Sequence, residues 1–255
     1  MKSRLMLIAA LVAAPLVHAA DGPLKEKAIA LAASNKDSVL FLSAVVELEV
    51  TVGENPAKKE ERKLEMLGTV IDKDGLIVVP LSALDVASTL DGRSYNGPQG
   101  PTKLSAKGTT KEVKILMPDG SEVAAKVAFK DTDLDLAFIR PEKPDAVKLT
   151  PVDTANNAPM TLLDDVIILG RLGKDLNREP VIMTNEVISL VSKPRTFGKV
   201  GTQALGMPVF NKDGKFVGFG INRFSPKGDS DNQGPVPQNV ILPAADLLES
   251  AAQAK

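Results

Sequence analysis

A chain of 255 residues, 44% hydrophobic and 25% charged, has the bulk for one large folded body or two small ones. Its formal net charge of −1 offers no electrostatic attraction for nucleic acid or an anionic membrane. Cysteine and tryptophan are absent and histidine occurs once, so disulfides and the common Cys/His zinc sites are excluded. The elements begin with an address. Lys2 and Arg4 precede an apolar run at 5–17 that is too short to cross a bilayer, and Val17-His18-Ala19 then sets small residues where a signal peptidase reads. The pattern predicts a signal peptide over residues 1–20, a secreted or periplasmic protein and no stable membrane span. Cleavage there removes His18, the one imidazole, and so excludes a Ser-His-Asp triad on inventory alone.

Residues 24–34 are helix formers with no breaker after Pro23, which predicts a helical arm. The period then changes to two: 46–52 alternate as a half-buried strand does. Asp74-Gly75, Asp119-Gly120 and Asp213-Gly214 each sit between apolar runs and predict three hairpins, because Gly takes positive φ cheaply. Further strands are expected at 134–139, 166–169 and 187–191. The stretches 91–110 and 225–238 are rich in Gly, Pro, Ser and Lys or Asn, without apolar period, and read as long surface loops. The Ala/Leu-rich 243–252 predicts a closing helix. Many short strands with a helix at each end give an all-β body, barrel or sandwich. Asp164-Asp165 and Asp229/Asp231 lack the regular spacing of a calcium loop, so no metal and no cofactor is expected.

Seven blocks, in order, resemble the trypsin-like domain of the HtrA/Deg serine proteases. Gly68 to Val79 resembles that family's "G-S-G-F-I-I-D-x-D-G-Y-I-L-T", and 113–131 its "V-x-L-x-D-G" strand pair. Asp135-Leu136-Ala137-Phe138-Ile139 is similar to "D-L-A-V-L", and 164–170 to "G-D-x-V-x-A-I-G". Glu186 to Leu190 is similar to "G-I-V-S-A", 208–222 to "P-L-V-N-x-x-G-x-V-I-G-I-N", and 240–243 to "x-F-A-I-P". The resemblance implies two antiparallel six-stranded β-barrels with an active site between them. Residues 21–150 then hold the arm and first barrel, and 151–255 the second barrel and last helix, with no PDZ domain after it. It also implies degenerate catalytic positions. Ser82 stands where the family has its histidine, and Leu205 where it has its nucleophile. Asp135 keeps the aspartate, and the oxyanion-hole amides belong to Gln203 and Leu205, with Gln203 in a glycine's place.

These substitutions imply an inactive homologue. Leu205 has no lone pair for attack, and a serine hydroxyl does not accept a proton near neutral pH. Asp135 is then expected to be held by backbone N–H groups or by Ser82. Three readings of function remain open. The first is a pseudoprotease that binds a protein or peptide of unknown identity. The second is a hydrolase with a His-free site, and the third is a structural subunit of an envelope complex. A homo-oligomer is compatible with each.

Overall fold

The computed structural model describes residues 22–97, 100–224 and 237–254. The expected signal peptide and most of the 225–238 stretch lie outside them. Helix α1 (Pro23–Ser34) starts with Pro at its first turn. The first seven strands follow: β1 (Val39–Val52), β2 (Lys58–Val70), β3 (Ile77–Pro80), β4 (Ser94–Gly97), β5 (Gly100–Leu116), β6 (Glu122–Asp131) and β7 (Leu136–Pro141). Two short helices, α2 (Leu81–Leu84) and α3 (Val86–Leu90), leave the end of β3. Six of these strands close in the order β1-β2-β3-β7-β6-β5, sealed by pairing of β1 with β5, while β4 adds to the edge of β5. The second barrel is β10-β13-β12-β11-β8-β9, from β8 (Asp165–Arg171), β9 (Pro180–Val191), β10 (Phe197–Val200), β11 (Pro208–Asn211), β12 (Phe216–Phe224) and β13 (Pro237–Pro243). Helix α4 (Ala244–Ala252) ends the fold.

The three Asp-Gly pairs are the turns joining β2 to β3, β5 to β6 and β11 to β12, with φ of +78°, +86° and +80° at Gly75, Gly120 and Gly214. The stretch 91–110 is not a loop. It contains β4 and most of β5, a hairpin in which Tyr95 faces Thr102 and Ser94 faces Lys103. Its composition hides it because β1 supplies the ordering partner: Val46 to Val52 pair along β5 from Thr110 to Leu104. Among the described residues, the buried cluster of that extension is Leu48, Ala87 and Ala106, too few to mark the sequence with an apolar period.

Each barrel has its own filling. Leu40, Leu42, Ile77, Val79 and Ile115 pack inside the first, and Val166, Ile168, Val187 and Ile241 inside the second. The largest cluster belongs to neither barrel alone. Leu76, Val78 and Phe138 of the first meet Ile167, Phe210, Phe216 and Phe219 of the second, with α1 and α4 at its margins. Helix α1 precedes the first barrel in sequence yet packs on β8 and β9 of the second. The seam is also pinned by polar contacts: Arg171 Nε donates to Val39 O (2.5 Å), Thr69 Oγ1 to Gly206 O (3.2 Å) and Val152 N to Val70 O (2.9 Å).

Candidate functional site

The seam opens on one side into a cleft of ≈ 600 Å³, and Ser82 and Asp135 both lie in its wall. Local structure puts them there. Pro80 ends β3, and α2 begins at once, so Ser82 falls in the first turn of a helix whose leading amide, Leu81 N, donates to Asp135 O at 2.9 Å. The turn entering β7 is set by Asp131, whose Oδ1 accepts from Leu134 N at 3.1 Å. Asp135 itself has φ +56°, a left-handed conformation that Asp tolerates better than most residues.

Asp135 is buried, and every bond to its carboxylate is a donated one. Oδ1 accepts from Ser82 N (2.6 Å), while Oδ2 accepts from the Ser82 hydroxyl (3.0 Å) and from Asn222 N (2.8 Å). The Asn222 amide closes the circuit by donating Nδ2 to Ser82 Oγ at 3.2 Å. Ser82 therefore donates to Asp135 and accepts from Asn222. Burial outweighs the opposing Asn222 and Ser82 amides, the Ser82 hydroxyl and the nearby Arg223 charge, and leaves the Asp135 carboxyl pushed up to about 6. At pH 7 the ionised form predominates, and both carboxylate oxygens accept hydrogen bonds from within the protein. Asn222 is on β12 and the other two partners are in the first barrel, so the network ties the barrels together at the cleft.

Leu205 and Gln203 are elsewhere. They lie on the 201–207 loop between β10 and β11, and neither belongs to the cleft wall. Leu205 bridges Gly220 of β12. The left-handed residue of this loop is Gly206 (φ +77°), whose amide donates to Gly220 O at 2.9 Å; Gln203 has no positive φ. A Cβ on Gly206 would strike the carbonyl oxygen of Leu67, so the loop approaches the first barrel as closely as a bare backbone allows. The structure thus brings Ser82 and Asp135 together with Asn222 and leaves Gln203 and Leu205 on the adjoining loop.

Two arginines shape the rest of the cleft. Arg223 Nη1 donates to Asp133 O at 2.6 Å, and its guanidinium lies 5.0 Å from the Phe197 ring centroid. Arg195 pairs with Asp246 of α4 at 2.9 Å. Asp85, which caps α3 through Ser88 N (3.2 Å), also faces the cleft. Sequence reading passed over Asn222, Arg223 and Phe197. Asn222 acts through its backbone amide, and no residue-type signal announces that. Asp164 and Asp165 begin β8, and among the described residues no group of three or more acidic side chains could hold a metal ion. Asp229 and Asp231 lie outside the described residues.

Comparison with known proteins agrees with this geometry. The trypsin-like peptidase domain family matches residues 67–219. The chain is 28% identical over 158 residues to a serine protease Do-like HtrA of Bacillus subtilis (strain 168), which takes in 55% of this chain and 34% of that protein. It therefore spans about a third of that relative's length. Among solved structures, an HtrA-type protease with a tripeptide superposes with a TM-score of 0.55 at 12% identity, over 88% of this chain and 62% of the other. The MamO protease domain from Magnetospirillum magneticum, in its apo form, superposes with a TM-score of 0.50 at 14% identity, over 85% and 96%.

Proposed function

This chain belongs to the trypsin-like peptidase domain family, in its HtrA-type form, and from that premise we propose that it is a pseudoprotease that holds a peptide or protein without cutting it. The observation that carries the reading is the closed Ser82–Asp135–Asn222 network. Where a working triad needs an imidazole between aspartate and nucleophile, a hydroxyl is hydrogen-bonded to the carboxylate at 3.0 Å. Ser82 is a poor nucleophile in this setting. Removing its proton would place a second negative charge beside Asp135, and among the described residues no lysine lines the cleft to accept that proton. Leu205, at the nucleophile's position by the family's pattern, offers only carbon. The loss of the Ser or His of such a triad costs about a million-fold in turnover.

Binding survives that loss. The cleft runs beside the end of β12, and extended peptides add to strand edges through backbone bonds that need no nucleophile. Residues 2–19 support export before this function is performed, through the basic start and apolar run described above. The family's own activity is the rival reading, and a fluorophosphonate probe separates the two. The purified chain, incubated with the probe and analysed by intact mass, is expected to carry no adduct. A stoichiometric adduct on Ser82 would overturn the reading in favour of a His-free hydrolase.

A further inference from the structure

The first barrel is split along one side, in a groove that shares no lining residue with the Ser82 cleft. The ladder between β5 and β6 runs only from Leu116–Glu122 to Val113–Ala125. Beyond Val113, β5 stays with β1 and β6 stays with β7, so the two strands part around a groove of ≈ 700 Å³.

The direction of the backbone groups along both walls follows from bonds already made. On β5, Leu104 N donates to Arg93 O (2.7 Å), Leu104 O accepts from Gly92 N (2.9 Å), and Ala106 N donates to Asp91 Oδ1 (2.9 Å). These residues point away from β1, so the period of two also turns the N–H and C=O of Gly108 and Thr110 outward, into the groove. The bulge opposite Val45/Val46 then shifts the phase, as it must for Val113 and Met117 to face β6. On β6, Ala124 O accepts Glu142 N (2.9 Å) on the β7 side. The groups of Ala125 and Val127 therefore point toward β5: Ala125 meets Val113, and Val127 faces the groove. Two strand edges thus present backbone donors and acceptors to one space. At a strand rise of about 3.4 Å, a spacing of about 4.8 Å and a sheet depth of about 10 Å, that space takes about four residues of extended chain.

Charge selects the occupant. Lys126 and Lys130 are exposed on the β6 wall and make no ion pair among the described residues. Lys111 on the other wall is held by Glu47 at 3.4 Å, and Glu112 shares Lys114 with Glu122, each at 3.1 Å, which leaves Glu142 as the groove's acidic side chain outside any ion pair among the described residues. We propose that the groove between β5 and β6 is a second binding site, which takes an extended acidic peptide segment of a partner protein as an added strand. Its backbone would bond to Gly108, Thr110 and Val127, and its carboxylates would lie over Lys126 and Lys130. The site is separate from the cleft and holds whether or not the chain cleaves peptides.

The test uses the purified chain with two capped octapeptides, one alternating valine with glutamate and one alternating valine with lysine. The glutamate peptide is expected to bind saturably, to weaken as salt is raised, and to shift the amide resonances of Gly108, Thr110 and Val127. The lysine peptide is expected not to bind. The double variant Lys126→Glu/Lys130→Glu changes only exposed side chains and is expected to lose at least about tenfold in affinity. Thr110→Pro removes one outward N–H without touching the β1 ladder and is expected to weaken binding likewise. No binding of the glutamate peptide at millimolar concentration would overturn the proposal. So would binding that neither variant alters, or shifts centred on Ser82 and Asn222.

Discussion

Asp135 combines a cost and a constraint. The residue is 7% exposed, and the three donors to its carboxylate come from two barrels. In Asp135→Asn, one amide oxygen replaces two acceptors, and the new NH₂ must face a donor. A loss of about 1–3 kcal/mol at pH 7 is expected from urea unfolding. Ser82→Ala leaves the Ser82 backbone amide in place and removes one hydroxyl contact, so a smaller loss of about 1 kcal/mol is expected. The pH dependence has a fixed sign. The folded carboxyl titrates near 6, above its ordinary value of 3.8, so the cost of burying its charge is absent below about 4. It grows as pH rises between those values and is complete above about 6. The stability difference between the wild type and Asp135→Asn should therefore shrink by about 3 kcal/mol from pH 4 to pH 7. A difference that grows over that range would mean the hydrogen bonds outweigh burial. The contact of Asp135 with Ser82 was legible in the residues. Asn222 was not, because its contribution is a main-chain N–H delivered across the seam from 87 residues away.

Among the elements, the 201–207 loop is tightly specified where it meets the first barrel. Gly206 needs its left-handed φ and has no room for a Cβ beside Leu67 O. Gly206→Ala should lower stability by at least about 2 kcal/mol in denaturant unfolding, through strain and loss of the Gly206 N–Gly220 O bond together. A neutral effect would show that the loop can leave the first barrel at no cost. Legibility followed local chemistry here as well. The three Asp-Gly turns, α1 and α4 were evident because their signals lie within a few residues of each other. The hairpin of β4 and β5 was missed because its order comes from β1, over fifty residues earlier. The charged start of β2, Lys58 to Glu61, was missed for the same reason: it is exposed, and only its pairing with 47–50 makes it a strand.

In the whole molecule, the two barrels share more core than either encloses alone. Phe138 of the first and Phe210, Phe216 and Phe219 of the second lie in one cluster, capped by α1 and α4. A mutual core of that kind predicts a single unfolding transition, with tyrosine fluorescence and far-ultraviolet dichroism giving coincident urea curves. Separated transitions would mean that each barrel stands alone. The duplicated architecture itself was not contained in any local pattern. Composition and periodicity reached a closed β body, and only the ordered series of blocks from Gly68 to Pro243 implied two barrels.

In the proposed function the seam keeps its architecture while the positions that would cut a peptide hold Ser82 and Leu205. The most direct measurement is digestion of an unfolded protein such as reduced casein by the purified chain, beside Leu205→Ala prepared identically. The account predicts no fragments above the protein-free blank from either preparation over a day. Fragments produced by the wild type and abolished in Leu205→Ala would contradict it, since they would place Leu205 in a working active site.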